Sequence, residues 1–341
     1  MKTKKLFAGL VLAGGIIAAN AQNVISSSTV TSGGSGAGVM GGTGSTFYGS
    51  SAGISATSTA NTFIGYRAGF NTTSGSANTF VGYNVGTANS TGTTNVIVGS
   101  GNNTTGSYNT FLGNTSTSNT SGNDNVFIGN IVATSNTSGS GNIYIGKYCA
   151  SGTGVNGSFN LSIGYAAGNN NTGSNNVFIG KGAGTNSVGS DLLFIDNTST
   201  STPLIWGNFA ADQLKLNGKV GIGGVTTFPA TAGSINVNNY KLFVNGGVLA
   251  TEVRVATSWA DYVFEDTYPL LSLKEVECFI DKNGHLPNVP SAKQVETDGI
   301  SIGEMAKIQQ EKIEELTLYL IQQQKEIDEL KAQMKQILAK Q

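Results

Sequence analysis

One short pattern of apolar and polar positions recurs between residues 45 and 196. Each unit reads Asn, a β-branched or aliphatic residue, usually an aromatic, an aliphatic residue and Gly. It starts at Asn61, Asn78, Asn95, Asn109, Asn125, Asn142, Asn160 and Asn176, as in Asn61-Thr62-Phe63-Ile64-Gly65 and Asn125-Val126-Phe127-Ile128-Gly129. Weaker copies flank the series at Ser45–Gly49 and Leu192–Asp196. Successive starts lie 14 to 18 residues apart. That period is too short for helical repeats, and the residue types favour strands, so the pattern predicts one strand of four or five residues per repeat.

A parallel β-solenoid with turns of about 16 residues accounts for this pattern. Stacked coils satisfy one another's backbone groups without any ion. On a period of two, the second and fourth positions are expected to fill the lumen and the third to point outward. Gly at the fifth position suits a turn with positive φ, and Asn, Ser, Thr and Gly between units supply the other turns. Several units add a second corner of small residues, as in Tyr66-Arg67-Ala68-Gly69 and Tyr165-Ala166-Ala167-Gly168. All five prolines fall after the repeats, as expected where every internal strand is central. Nine or ten coils at about 4.8 Å give a rod of roughly 45 Å.

The third-position ladder, Phe63, Phe80, Ile97, Phe111, Phe127, Tyr144 and Phe178, is the tempting contact surface. Outward rings read first as a packing seam between subunits or at the edge of the roll, and second as a platform for sugar rings. Calcium-binding β-roll repeats need Asp, which is almost absent here, and an ice-binding face needs Thr at equivalent positions, whereas these Thr residues cluster in irregular turns. The short motif ending in Ile-Gly resembles the parallel β-roll head of trimeric autotransporter adhesins. Those proteins end in a membrane-embedded β-barrel segment. This chain ends in a charged helix, which departs from that self-anchoring pattern.

Residues 197–258 change to short apolar segments split by Asn217-Gly218, Gly223-Gly224 and Asn245-Gly246-Gly247. Tyr240–Val244 and Val248–Val255 are expected to form a hairpin around the last of these. Short strands around Gly turns resemble the shaft of phage tail fibres, with a small independent β-sandwich as the alternative.

Helical signals follow. Ser272-Leu273-Lys274-Glu275 predicts a capping box opening a short helix that Gly284 ends, Ser291 starts a second helix, and Ser301 starts a third running to about Ala339. The third keeps a heptad: Ile313, Leu320, Ile327 and Met334 at a, and Leu316, Gln323, Leu330 and Ile337 at d. This predicts a coiled coil. Ile at a with Leu at d leans toward dimers, while Gln323 and Ile337 at d lean toward trimers, and a parallel homotrimer is the expectation. Trp259–Phe264, Gly284–Pro290, Gly303-Glu304-Met305 and Lys312–Leu316 resemble, at a distance, the intramolecular chaperone of endosialidase-type tail fibres (peptidase S74-like). That resemblance implies trimer registration and chaperoned folding. Its autocleaving members carry a Ser-Asp pair followed by Lys. No Ser-Asp pair occurs in residues 251–341, so Ser258 and Lys274 have no assigned role.

The charge distribution agrees with a division at the repeats. Residues 22–190 hold four charges, Arg67, Asp124, Lys147 and Lys181, and no Glu precedes Glu252. With a single His and a net charge of −1, paired-carboxylate and His-zinc chemistry are excluded from the repeats, and no basic field exists for nucleic acid. Cys149 and Cys278 read as two partly buried thiols, and His285 as a packed or capping residue. Lys2, Lys4 and Lys5 before the apolar run Leu6–Ala19 and Ala19-Asn20-Ala21 predict a signal peptide over residues 1–21, cleaved between Ala21 and Gln22. The run is too short to cross a bilayer.

The expected organisation is mainly β. A signal peptide (1–21) and a Gly/Ser-rich segment (22–44) precede the solenoid (45–196) and a β-rich shaft (197–258). A small helical and extended module (259–300) and a coiled coil (301–341) complete it. The expected role is an exported, fibrous adhesin or tail-fibre-like structural protein at a cell surface. It would partner with itself and with a glycan or protein receptor, without cofactor, metal, nucleic acid or membrane insertion. A self-processing tail-fibre peptidase, and an ice- or carbohydrate-binding solenoid, are the alternatives.

Overall fold

The computed structural model describes residues 24–26, 30–114 and 119–339, so the expected signal peptide and its Ala21/Gln22 junction lie outside the described residues. The chain divides into two compact units, Met1–Gly218 and Lys219–Gln341, and the division falls inside the segment 197–258.

The first unit carries one sheet of fourteen strands in strict sequence order. Every repeat contributes a strand where the pattern places it, such as Thr62–Ile64, Thr110–Asn114 and Val177–Ile179. The parallel stack runs from Val30–Gly33, inside the Gly/Ser-rich segment, to Leu192–Ile195. Antiparallel strands close both ends: Val24–Ser26 on one, Ile205–Asn208 and Gln213–Leu216 on the other. These turn the open ladder away from end-to-end growth. Ten parallel steps at about 4.8 Å make a stack of about 48 Å.

The facing of the strands is the reverse of the sequence expectation. Phe63, Phe80, Ile97, Phe111, Phe127, Tyr144 and Phe178 fill the lumen, each essentially without solvent exposure. Positions two and four line the outer face, where Ile64, Val96, Val98, Leu112, Ile143 and Ile163 are exposed. The Asn at position one sets this parity. Asn61, Asn78, Asn95, Asn109, Asn125, Asn142 and Asn176 are fully buried, and a residue two positions on must face the same way. The lumen rings stack coil on coil, with centroids 4.9 Å apart for Phe63–Phe80 and 4.8 Å for Phe111–Phe127.

Glycine makes room for these rings. A Cβ on Gly69 would lie 2.4 Å from the Phe63 ring, so the small-residue corner is the lid of the aromatic column. At Gly65, φ is +127° and a Cβ would fall 2.1 Å from the Gly82 carbonyl oxygen of the next coil.

The second unit has little regular β-structure. Val220–Ile222 pairs in parallel with Leu242–Val244, and Thr231–Ala232 pairs antiparallel with Ile235–Asn236. The hairpin expected from Tyr240 to Val255 does not form, because residues 248–255 are no strand and Val248, Leu249 and Val253 find no cover within the chain. A single 3-10 turn at Asp261–Phe264 precedes helices α1 (Leu273–Asn283), α2 (Ala292–Asp298) and α3 (Ile302–Leu338). Ser272 and Ser291 form capping boxes with Glu275 and Gln294, and Gly284 ends α1 in the left-handed conformation at φ 73°. Only Val237, Ala260 and Val263 are buried apolar residues among the described residues of this unit.

Candidate functional site

Three arrangements were candidates for function: the aromatic ladder, the heptad seam and the region around the chaperone-like motifs. The ladder is core. Phe63, Phe80, Phe111, Phe127, Tyr144 and Phe178 reach no solvent, so neither a sugar platform nor an inter-subunit seam can be built from them.

Behind the ladder lies a feature that sequence reasoning missed, a continuous amide column. Asn78 donates from its backbone N–H (3.0 Å) and from Nδ2 (3.3 Å) to Oδ1 of Asn61. Oδ1 of Asn78 receives the same pair from Asn95, and the series continues through Asn109, Asn125, Asn142 and Asn160. Each Nδ2 also donates to a turn carbonyl, as from Asn61 to Gly75 and from Asn109 to Gly122, both at 2.9 Å. The signal is the Asn that opens the eight full units, a position to which the pattern alone gives no role.

The heptad seam is open in the single chain. Ile313, Leu316, Leu320, Ile327, Leu330, Met334 and Ile337 are exposed, and so is Gln323. Between residues 303 and 319 the covered face of α3 is the opposite one, and from residue 320 on the helix is exposed all round. Glu311 (f) and Glu314 (b) are 6% and 5% exposed. The Tyr262 hydroxyl donates to Glu311 and the Tyr268 hydroxyl to Glu315, while Asn288 Nδ2 donates to Glu311 at 3.1 Å. Lys312 Nζ bridges Glu311 at 2.9 Å and Glu315 at 2.8 Å.

These contacts set the protonation states. Burial pushes the Glu311 carboxyl up, but hydrogen bonds from Tyr262, Lys312 and Asn288 outweigh it and hold the group below its ordinary value. Burial lowers Lys312, yet its bonds to Glu315 and Glu311 leave it raised overall. The bond to Glu311, then burial, pushes Tyr262 up to about 12. Lys312 is therefore a charged strut and not an amine nucleophile, and the tyrosines are fixed donors. The cluster ties the segments of Tyr262, Tyr268 and Asn288 to α3.

Beside it lies a cleft of about 360 Å³ whose apolar wall includes Leu271, Leu273, Val276, Leu286 and the seam residue Leu316. His285 sits outside any triad, its Nδ1 3.0 Å from the Leu286 carbonyl oxygen and its ring edge-on to Phe279. No hydrogen bond or ion pair joins Ser258 to Lys274, both of which are exposed, among the described residues. Cys149 is buried, and burial pushes its thiol up to about 12. Cys278 is exposed, where partial burial was expected. No group of three or more His, Cys, Asp or Glu that could hold a metal occurs among the described residues. No helix among them is long and apolar enough to cross a membrane.

No family model, no curated protein and no solved structure matches the chain.

Proposed function

We propose that this chain is an exported fibrous surface protein that assembles as a parallel homotrimer through its C-terminal unit and presents its solenoid for contact. The observation that carries the reading is the inverted packing of α3. An amphipathic helix of a self-sufficient domain buries its apolar stripe and exposes its charges. Here the chain covers Glu311, Glu314 and Glu315 at f, b and c in the first half of the helix and leaves the a/d seam open throughout. A unit of 123 residues with three buried apolar side chains among its described residues has less core than an independent domain of that size needs, which supports a core completed by other copies.

The heptad makes a second copy of α3 the fitting partner. Glu326 at g and Lys331 at the following e give an attractive pair in a parallel, in-register bundle. Gln323 and Ile337 at d favour three strands over two. The outer sheet face, with its unpartnered aliphatic columns, offers the solenoid a surface of the same character. Export rests on the charged and apolar N-terminal run, and the contact role on the likeness of the repeats to adhesin heads. The likeness of the last unit to tail-fibre chaperone modules supports registration as its task.

Sedimentation of the full chain with and without Leu320→Lys tests this reading. Three chains that fall to one in the variant support it, and a parent of one chain overturns it.

A further inference from the structure

We infer that the corner following each Gly of the repeat forms a binding ridge for an acidic polysaccharide. The ridge is one residue wide and runs along the stack. Its residues in coil order are Ser50, Tyr66, Tyr83, Ser100, Asn114, Asn130, Lys147, Tyr165 and Lys181. The backbone ladder holds them adjacent: the N–H of Asn84 donates to the Tyr66 carbonyl, that of Ala166 to Lys147, and that of Gly182 to Tyr165, at 2.8–2.9 Å.

Charge placement carries the inference. Residues 22–190 contain three cations, and all three occupy this corner: Lys147 and Lys181 on the ridge, and Arg67 one residue on. None forms an ion pair with a carboxylate among the described residues. Asp124, the one acid of that stretch, precedes Asn125 at the far end of its strand. The solenoid's three acids, Asp124, Asp191 and Asp196, lie off the ridge positions, and its cations gather at this one corner.

The rings stand on the same line. Tyr66, Tyr83 and Tyr165 are 45%, 70% and 49% exposed, unlike the lumen aromatics. Tyr66 and Tyr83 stack with centroids 5.3 Å apart, and the neighbouring coils carry only Ser50 and Ser100, so the outer face of each ring is left open. Tyr148 and Tyr165 meet edge-on at 5.5 Å, with Lys147 Nζ 4.9 Å above the Tyr148 ring. Arg67 lies 4.1 Å over Phe70, which fixes the guanidinium. Two of these side chains are held at a cost, because Arg67 and Tyr148 occupy left-handed backbone positions, φ 54° and 60°.

Open ring faces with hydroxyl tips suit the apolar faces of sugars; between them the Ser100 hydroxyl donates to Asn114 Oδ1 at 2.9 Å, and Asn130 follows on the next coil. Interspersed cations select uronate or sulfate groups over neutral sugars. Three cations are too few for a duplex, whose affinity grows with each phosphate neutralised.

The inference rests on the contact role proposed above, and its test separates the two. Immobilised full-length protein is titrated with polygalacturonate, dextran sulfate, neutral dextran and duplex DNA. The acidic polysaccharides should bind in a salt-sensitive way, and dextran about tenfold or more weaker. Affinity should fall about tenfold in Tyr66→Ala/Tyr83→Ala and in Lys147→Ala/Lys181→Ala, both folded by circular dichroism, while Asp124→Asn binds as the parent. If the tyrosine double variant does not fold, Tyr83→Ser alone carries the test. DNA bound as tightly as the polysaccharides, equal binding by the corner variants, or no acidic polysaccharide bound would each overturn the ridge. Capture of a neutral glycan on an array by parent and corner variants alike would overturn the ridge and leave the contact role standing.

Discussion

Oδ1 of Asn109 accepts two hydrogen bonds from Asn125, one from the backbone N–H and one from Nδ2, each 3.0 Å long. Oδ1 of Asn125 in turn accepts the same pair from Asn142, at 3.0 and 3.2 Å. Asn78, Asn95, Asn109, Asn125 and Asn142 are each both acceptor and donor and fully buried, so truncating one strands groups on two neighbouring coils. Asn125→Ala is expected to cost about 2–4 kcal/mol, because several buried polar groups lose partners at about 1–3 kcal/mol each. Urea unfolding of the full chain measures it. A loss under about 0.5 kcal/mol, the scale of surface substitutions, would show that the column is dispensable.

The inward ladder makes its own prediction. Phe111 is fully buried beneath Phe127, whereas its neighbour Leu112 stands 37% exposed. Phe111→Ala should cost about 3–5 kcal/mol, and Leu112→Ala less than half of that. The reverse order in thermal unfolding would restore the outward facing of the rings.

Ile131 holds φ at 59°, a left-handed position that a β-branched residue adopts only under strain. The equivalent place one residue after the ridge is Asn in the coil of Asn84, at φ 52°. Ile131→Asn should therefore raise stability by about 0.5–1 kcal/mol. A lower midpoint of unfolding would mean that the Ile side chain stabilises more than its backbone strain costs.

The polar cluster on α3 gives the second unit a pH window. Glu311 is held below its ordinary 4.5, so its contribution is present above that pH and is lost as pH falls through the folded value. Tyr262 is raised from 10.0 to about 12, so its contribution is full below 10 and lost as pH rises toward 12. Stability of this unit should therefore be flat between these limits and fall on both sides. Glu311→Gln should flatten the acid limb, followed by helical circular dichroism between pH 2 and 7. An acid limb unchanged in the variant would assign acid sensitivity to other carboxylates.

Much of the architecture was legible in the sequence. The Asn-led unit gave the strand positions from Ser45 to Ile195, and Ser272, Ser291 and Ser301 marked the three helix starts, because caps and short-range repeats act locally. Facing was misread because periodicity fixes which positions share a face and leaves open which face is inside. Aliphatic residues at positions two and four outvoted one aromatic until the buried Asn decided the parity. The hairpin after Tyr240 failed for a different reason. Apolar residues at Leu249, Val253 and Val255 would share a strand face that needs a cover, and one chain does not supply it. The α3 cluster escaped notice because Tyr262 and Glu311 lie 49 residues apart, and no spacing rule connects them.

Assembly is the central proposal, and the exposed seam at Ile313, Leu320 and Ile327 is the observation behind it. Sedimentation equilibrium of the full chain at micromolar concentration tests it most directly. The account predicts the mass of three chains, each near 35.0 kDa before any processing. A single-chain mass that persists as concentration rises would contradict it.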